Sequence, residues 1–387
     1  MNFSLNLRRI LMTADAVGGV WTYVLDLARA LREKKIEIAL AVMGVPLSPD
    51  QRRQAARLGN VRLFESGYRL EWMENPWQDV QRAGYWLLDI EQDFAPDLIH
   101  LNGFVHGSLG WSAPVLIVGH SCVLSWWHAV RGEPAFAGLE KYREAVTAGL
   151  RSADMVIAPT AAMLSRLVAL YGPFLRQGVV YNGRELPARA FDITKENFIF
   201  TAGRIWDEAK NISVLESIAG ELAWPVYSAG NVTAPGMKNR IRLKNILPLG
   251  TLDRNGMVRW YRRASIYALP ALYEPFGLTV LEAAQCGCAL VLGDIPSLRE
   301  LWEGAAVFVP PDSPRDLRNA LTGLINSKDE RARLSASALS RGLHYSLERM
   351  RDGYLEVYRN ISDQRPTRNG PNRNALRRFN QPVAHRS

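Results

Sequence analysis

The sequence has few cysteines and no pattern that would bind a structural metal. Its 387 residues include three cysteines, Cys122, Cys286 and Cys288, too few for the disulfide framework of a secreted scaffold. They are not spaced with histidines as in a zinc site. We therefore expect a protein of a reducing compartment, and Cys286-Gly-Cys288 favours small-residue packing over redox chemistry.

Several other features are missing. No apolar run reaches the roughly 20 residues of a membrane helix. The first ten residues are polar and lead at once into a short predicted strand, unlike a signal peptide. The chain lacks the Gly-x-Gly-x-x-Gly fingerprint of dinucleotide-binding proteins and any Asp-x-Asp pair that would clamp a divalent ion. We therefore expect a cytoplasmic protein without a cofactor or a metal site.

Basic charge is concentrated at the end of the chain. The net charge is +9, and residues 361–387 hold six arginines against the single acidic residue Asp363. The modestly basic remainder suits an anionic ligand or contact with an anionic membrane surface. It shows no interleaved aromatic and basic residues of a nucleic-acid module, so no nucleic-acid partner is expected. Peripheral contact with the inner membrane face stays open.

The most informative stretch lies between residues 266 and 310. The apolar run Ile266–Leu272 predicts a buried parallel strand, and a Glu-Pro-Phe-Gly turn then leads into a helix that starts near Leu278. A helix entered through glycine presents unpaired N–H groups, here those of Gly277, Leu278 and Thr279. The pattern therefore predicts a place where a phosphate can bind.

Two carboxylates flank that helix start. Glu274 lies in the turn and Glu282 lies one turn inside the helix, with seven residues between them. Carboxylates repel phosphate but accept hydrogen bonds from hydroxyl groups. The ligand that fits is a phosphate flanked by sugars, although an ordinary strand-turn-helix unit of another α/β protein would show the same local pattern.

This stretch resembles the signature of glycosyltransferase family 4 (group 1), whose motif is two glutamates with seven residues between them, around a Phe-Gly turn. Neighbouring segments match in the family's order, so the resemblance covers roughly residues 8–360. It implies the GT-B fold, with two Rossmann-like α/β domains facing across a cleft and a C-terminal helix crossing back to the first. It also implies retaining transfer of a hexosyl unit from a nucleotide-sugar donor to the hydroxyl of a glycan or lipid-linked acceptor, in polysaccharide or glycolipid synthesis. In that family Glu274 would contact the donor sugar and Glu282 the ribose.

The domain boundaries follow from the length, from the Asn182-Gly183 turn and from the resemblance. A chain of 387 residues is too long for one ordinary core. We expect an N-terminal acceptor-side domain (1–185), a C-terminal nucleotide-sugar-binding domain (186–345), a crossover helix (346–360) and a disordered basic tail (361–387). The tail has no apolar periodicity, as is typical of disorder.

The first domain opens with a strand-turn-helix unit. Arg9–Met12 predicts a strand, and Gly18 and Gly19 precede an amphipathic helix, Val20–Glu33. The resemblance places these glycines at the donor diphosphate and sugar, where glycine lets the backbone approach closely. A tight turn without a ligand is the other interpretation.

His120 stands at the end of another predicted strand, Pro114–Gly119, and ligands bind at strand ends in open α/β sheets. The resemblance places His120 near the donor sugar, although an isolated histidine is usually structural. Family members often carry Asp after this histidine, and this chain has Ser121. We read Ser121–Pro134, with its Trp126-Trp127 pair, as an acceptor-contact loop.

The second domain begins with a strand, Phe198–Ala202, followed by Arg204 and, six residues later, Lys210. The resemblance makes these two the family's basic pair. Breaking a sugar-phosphate bond places negative charge on the leaving diphosphate, which an Arg fork and a Lys point charge stabilise. Two solvated cations in a loop are the alternative.

Two rival functions share these features. A nucleotide-sugar epimerase can adopt the same architecture, and it would isomerise a donor without any acceptor. A non-catalytic nucleotide-sugar-binding protein would be expected to lose the glutamate pair or the basic pair, and this sequence keeps both. The residues alone identify neither the sugar, nor the base, nor the acceptor.

Overall fold

The computed structural model describes residues 7–133, 137–185, 194–233 and 241–362. These fall into two compact units. The first contains residues up to 128, residues from 133 to 181 and the segment that starts at Leu347. The second contains residues 129–132 and 182–346. Most of the expected basic tail, residues 363–387, lies outside the described residues.

Every strand in the described residues belongs to one of two parallel sheets. In chain order the strands of the first unit are β1 (Arg9–Asp15), β2 (Glu37–Met43), β3 (Val61–Glu65), β4 (Leu98–Leu101), β5 (Val115–Val118), β6 (Met155–Ala158) and β7 (Gln177–Val179). Those of the second unit are β8 (Glu196–Ala202), β9 (Val226–Ala229), β10 (Ile246–Pro248), β11 (Ala264–Leu269), β12 (Ala289–Gly293) and β13 (Val307–Val309).

Helices connect the strands. They are α1 (Gly19–Arg32), α2 (Pro49–Ala56), α3 (Trp77–Phe94), α4 (Val123–Arg131), α5 (Glu140–Ser152), α6 (Ala161–Tyr171), α7 (Ile212–Ala219), α8 (Arg254–Arg263), α9 (Leu278–Gln285), α10 (Pro296–Trp302), α11 (Pro314–Asn326), α12 (Lys328–Leu343) and α13 (Leu347–Ser362). No helix in the described ranges is both long enough and apolar enough to cross a membrane.

The first sheet has the strand order β3-β2-β1-β4-β5-β6-β7. Its central strands are continuous apolar runs because both faces of a parallel sheet are covered. One face packs against α1, whose buried residues Val24, Leu27 and Leu31 recur every three or four positions. The last helix, α13, joins the same core through Tyr354 and Tyr358. The chain's C-terminal helix therefore packs on the first unit.

The second sheet has the order β10-β9-β8-β11-β12-β13. Successive residues of its strands enter opposite cores: Phe200 and Tyr267 lie in one hydrophobic cluster, and Ile199 and Ile266 lie in the other. This alternation buries both faces of the sheet. The prediction of two parallel Rossmann-like sheets, with the final helix on the first, is confirmed.

Each sheet has a switch point, where the strand order reverses direction along the chain. It lies between β1 and β4 in the first sheet and between β8 and β11 in the second. In the first, Met12 pairs with His100. Loops that leave the carboxyl ends of two such strands diverge and leave a crevice, the usual ligand position in this class of sheet. These two edges are therefore the expected positions of a ligand.

Some sequence predictions were wrong or incomplete. The segment predicted as the loop Ser121–Pro134 contains a helix, α4, because Val123, Trp127 and Val130 follow helical spacing up to Gly132. The final helix ends at Ser362, two residues beyond its expected end. The pattern also missed α2, β3 and α3, whose polar or Trp-rich sequences did not predict regular structure.

Candidate active site

The first switch point is formed by the loops that follow β1 and β4. The loop after β1 enters α1 through Gly18, whose φ of +86° is the left-handed conformation that favours glycine. No side chain caps the start of α1 at Gly19, and no acidic residue lies in its first turn. Its first N–H groups are thus left for solvent or an anionic ligand.

The ring of His120 is held by an amide rather than by a carboxylate. His120 Nε2 lies 2.8 Å from Oδ1 of Asn102. Asn102 Nδ2 donates to the carbonyl oxygen of Thr13 at 2.7 Å, and its backbone N–H donates to Thr13 Oγ1 at 2.9 Å. These contacts connect Thr13 of β1, the residue after β4 and the second residue after β5. His120 therefore belongs to the first switch point.

An aromatic cluster supports this histidine from within the first unit. The rings of Tyr23 and His120 meet edge to face, with centroids 4.4 Å apart. Behind them the buried His100 places Nε2 3.2 Å from the Tyr23 hydroxyl and Nδ1 2.8 Å from the Tyr358 hydroxyl. Burial lowers the pKa of His100 and of His120 to about 3. Both imidazoles are therefore neutral near neutral pH.

In the second unit Arg204 follows β8 and is oriented by Asp207. Arg204 Nη2 and Nε donate to Asp207 Oδ2 at 2.7 and 3.2 Å. Asp207 is buried, and its Oδ1 accepts the Ala209 N–H at 3.1 Å, which fixes the carboxylate. About two fifths of the Arg204 side chain is exposed (39%). Its remaining N–H groups can bind an anion.

Lys210 and Glu274 lie at the same switch point and contact each other. Lys210 Nζ donates to Glu274 Oε2 at 2.6 Å, and each side chain is only 13% exposed. The loop that carries Glu274 is tied to the loop after β8, because the Leu272 N–H donates to the Ala209 carbonyl at 2.9 Å. Ser297 Oγ donates to the Glu274 carbonyl at 2.5 Å. Two hydrogen bonds thus hold the loop that carries Glu274.

Helix α9 starts with unsatisfied N–H groups close to that pair. Gly277 has φ +86°, a conformation in which a side chain is strained, and a Cβ there would lie 3.1 Å from Val280 Cγ2 and 3.3 Å from Glu274 Cγ. No side chain makes a capping hydrogen bond to the helix start. Thr279 Oγ1 lies 2.9 Å from the Tyr267 hydroxyl, which donates to the Ala202 carbonyl at 3.2 Å.

Glu282 lies deeper in α9 and forms an ion pair with Arg184. Nη1 of Arg184 contacts Oε1 of Glu282, and the two side chains are 9% and 10% exposed. The segment around Arg184 is fixed as well. Its N–H donates to the Tyr345 carbonyl at 3.1 Å, and Gln285 Nε2 donates to the Arg184 carbonyl at 3.1 Å. Glu282 is thus already engaged by a buried cation, and a ribose contact would have to share its carboxylate.

The candidate site residues from the sequence thus lie in two places, at the switch point of the first sheet and at the switch point of the second. Gly18, Gly19 and His120 lie at the first switch point. At the second, Lys210 and Glu274 pair with each other, and Arg204 and Glu282 have separate partners. The helix start formed by Gly277, Leu278 and Thr279 follows the same loop as Glu274. No group of three or more His, Cys, Asp or Glu side chains in the described ranges could hold a metal ion.

Three partner residues were missed by the sequence analysis. Asp207 could have been found, since it lies three residues after Arg204 and begins a helical turn. Asn102 was visible only as a polar residue at a strand end. Arg184 gave no signal, because its partner Glu282 is 98 positions away in the sequence.

Two doubly wound parallel sheets, with cations and an uncapped helix start at one switch point, define a two-domain Rossmann-like α/β protein. Comparison with protein-family models identifies the family. Residues 17–186 match the model described as Glycosyltransferase Family 4, and residues 196–327 match Glycosyl transferases group 1. These matches cover most of the chain in order. The chain therefore belongs to the family 4, group 1 glycosyltransferases of the GT-B fold and is an enzyme of that class.

Individual relatives agree with this assignment. The chain is 26% identical to a D-inositol 3-phosphate glycosyltransferase of Xylanimonas cellulosilytica, over 92% of this chain and 94% of the relative. Among solved structures, sucrose-phosphate synthase from Thermosynechococcus elongatus matches with a TM-score of 0.75 and 18% identity, over 92% of this chain and all (100%) of the other. HepE from Anabaena, in complex with UDP and glucose, matches with a TM-score of 0.70 and 17% identity, over 92% and 100%. Such low identities support the fold alone.

Proposed function

We propose that this glycosyltransferase moves a hexosyl unit from a nucleotide-sugar donor to an acceptor hydroxyl, with retention at the anomeric carbon. The observation that carries the proposal is the second switch point. There Arg204 and Lys210 lie on the loop after β8, and the start of α9 follows the loop after β11. Two cations beside free helix N–H groups suit a diphosphate. The solved complex of HepE with UDP and glucose supports a donor of this kind.

Arg204 and Lys210 would stabilise the charge that develops on the leaving diphosphate. Asp207 fixes the plane of the Arg204 guanidinium, so this cation is preorganised. Lys210 has three N–H donors and Glu274 accepts from one of them, which leaves others for a phosphate oxygen. The free N–H groups of Leu278 and Thr279 would bind the same diphosphate without a metal ion.

The two glutamates would bind different parts of the donor. Glu274, at the switch point beside Lys210, would accept hydrogen bonds from hydroxyls of the sugar. Glu282, which already pairs with Arg184, would share its carboxylate with the ribose hydroxyls. Gly18 and Gly19 of the first unit would let the backbone approach the donor.

The surroundings of His120 bear on how a retaining transfer would proceed. The described side chains that contact its ring, Asn102 and Tyr23, carry no carboxylate that could act as a nucleophile. A front-face reaction, in which the leaving phosphate helps to deprotonate the acceptor, fits this arrangement. His120 itself would lie at the donor sugar.

In this proposal the acceptor is a growing glycan or glycolipid, and the enzyme acts in the cytoplasm. Related proteins include a lipopolysaccharide core biosynthesis mannosyltransferase of Rhizobium meliloti, 25% identical over 36% of this chain. The D-inositol 3-phosphate glycosyltransferases add a phosphorylated polyol as a second acceptor type to test.

Mass spectrometry with a panel of nucleotide sugars tests the function. The full-length protein is incubated with each donor, alone and with inositol phosphate, oligosaccharide or lipid-linked acceptors. We expect one donor to lose its sugar to an acceptor, with NMR of the product showing the donor's anomeric configuration. An isomerised donor without acceptor would establish an epimerase instead. Donor binding without any product would establish a binding protein.

A further inference from the structure

One buried carboxylate of the first unit takes no part in the proposed reaction. Glu71 lies between β3 and α3, and its Oε1 accepts the N–H of Phe104, in the loop after β4, at 2.8 Å. Only 6% of the residue is exposed. The other oxygen, Oε2, makes no hydrogen bond to the described chain and is not fully enclosed by it, so a ligand can reach this oxygen. The carboxylate thus keeps most of its capacity to accept hydrogen bonds.

No countercharge within the described residues compensates this carboxylate. The titratable groups close enough to interact with it electrostatically are His106 and Tyr142. Burial lowers the pKa of His106 and raises the pKa of Tyr142 well above its usual value, so both groups are uncharged near neutral pH. Glutamate is rarely buried without a partner, because an uncompensated buried charge is costly. Glu71 therefore points to a hydrogen-bond donor that a ligand supplies.

The Glu71 carboxylate lies at the first switch point. A Cβ on Gly103 would lie 3.2 and 3.3 Å from its two oxygens, so both oxygens face the residue that follows Asn102. Asn102 in turn bonds to Thr13 of β1. Asn102 and Gly103 are partly exposed, so this position is at the surface of the crevice between the loops after β1 and β4. Such a crevice is the usual ligand position in this class of sheet.

We propose that the first switch point is a second binding site, where the Glu71 carboxylate accepts a hydrogen bond from a hydroxyl of an uncharged polyol or sugar that serves as the acceptor. A hydroxyl can donate to a carboxylate, whereas a phosphate or an ionised acid is repelled by it. Transfer needs two substrates, and the second switch point is assigned to the donor diphosphate. The inference rests on the proposed function in this respect, and it deepens that proposal by naming the charge class of the acceptor.

Glu71→Gln tests the proposal with nearly the same shape. The amide oxygen can still accept the Phe104 N–H, whereas the group that faces the ligand loses its charge. The matched control is Glu91→Gln, because Glu91 is as deeply buried, at 3% exposed. Its Oε1 accepts the N–H groups of Ser112 and Ala113 at 2.9 and 3.1 Å. These residues precede β5, so Glu91 lies at the opposite, amino edge of the sheet.

Binding is measured without a donor. Saturation-transfer-difference NMR on the full-length protein uses myo-inositol, glucose, mannose and galactose as probes, each compared with its monophosphate. We expect at least one neutral probe to bind the wild type and Glu91→Gln, and to bind more tightly than its phosphate. Glu71→Gln should bind this probe roughly tenfold more weakly, as is typical for loss of a hydrogen bond to a charged group. Failure of every neutral probe to bind, tighter binding of the phosphates, or wild-type affinity in Glu71→Gln would overturn the inference. The first two outcomes do not depend on any variant.

Kinetics distinguish the acceptor from the donor. With the substrates identified by mass spectrometry, Glu71→Gln should raise the KM of the acceptor about tenfold and leave the KM of the donor unchanged. Glu91→Gln should change neither value. An unchanged acceptor KM in Glu71→Gln, or a rise confined to the donor KM, would refute the acceptor role. If no donor supports transfer to any acceptor, the proposed function fails, while the NMR result still decides whether Glu71 binds a polyol.

Discussion

Removing the carboxylate of Glu282 should destabilise the second unit by much more than the loss of an exposed ion pair. Glu282 and Arg184 form a pair whose side chains are 10% and 9% exposed. In Glu282→Ala the guanidinium would stay buried without its countercharge. Breaking a buried pair from one side typically costs about 3–5 kcal/mol, because the remaining charge is desolvated and unpaired.

The double variant separates this effect from a simple loss of packing. Arg184→Met with Glu282→Leu removes both charges and keeps most of the volume. Such replacements are often neutral or stabilising. We therefore expect the double variant to be more stable than Glu282→Ala, with a coupling energy between the two positions of roughly 1–3 kcal/mol.

The assay is urea and thermal unfolding, followed by a signal from the second unit. For a unit of this size each kcal/mol shifts Tm by about 2–4 °C, so Glu282→Ala should lower Tm by roughly 10 °C. The control is Glu196→Ala, because Glu196 pairs with Arg263 in the same unit but the two side chains are 48% and 41% exposed. An exposed pair contributes about 1 kcal/mol or less. Equal destabilisation by the two variants would refute the reasoning.

Three further predictions address metal dependence, pH and the basic tail. Transfer should survive EDTA, since cations and a helix start suit the diphosphate, and complete loss that Mg²⁺ or Mn²⁺ restores would contradict this. Burial lowers the pKa of His100 to about 3 in the folded protein. Below about pH 6.5 the unfolded chain therefore binds a proton at this histidine that the folded chain does not bind. The free energy of unfolding of the first unit should therefore fall as the pH drops from about 6.5 towards 3, and His100 alone should account for about 2 kcal/mol of that fall at pH 5. If His100→Gln loses stability with pH as steeply as the wild type, His100 is not the cause. Truncation after Ser362 removes all six tail arginines and should abolish salt-sensitive binding to anionic vesicles. Each cation near the vesicle surface contributes up to ~1 kcal/mol to that binding. Equal binding by the truncated and the full-length protein would show that the tail is not the contact.

Elements with strong local signals were predictable from the sequence. The apolar runs Pro114–Gly119 and Phe198–Ala202 predicted strands that the structure has as β5 and β8, and α9 begins at the expected Leu278. Both runs are buried on both faces, so burial and pattern agree. The segment that forms α4 was misread because its tryptophans were taken as a ligand-contact loop, although helical spacing was present.

The partners of the site residues were less predictable, because long-range pairing leaves no local signal. Asn102 meets Thr13 across 89 positions and Arg184 meets Glu282 across 98. Only the fold brings such side chains together. Asp207, three residues from Arg204, is the exception, and its spacing could have been recognised.

The most direct test of the account compares donor turnover in Arg204→Ala and Lys210→Ala with turnover in Arg318→Ala. Arg318 is an exposed arginine of α11 in the same unit, paired with Glu221 at 2.5 Å, and serves as the control for loss of a surface charge. Acceptor-dependent release of the nucleoside diphosphate is measured by stopped flow, with circular dichroism to verify folding. We expect each site variant to lose on the order of 10²-fold in kcat, as is typical for removal of one preorganised stabilising group, and the control to keep the wild-type rate. Wild-type kcat in both Arg204→Ala and Lys210→Ala would contradict the assignment of the second switch point as the place where the sugar-phosphate bond is broken.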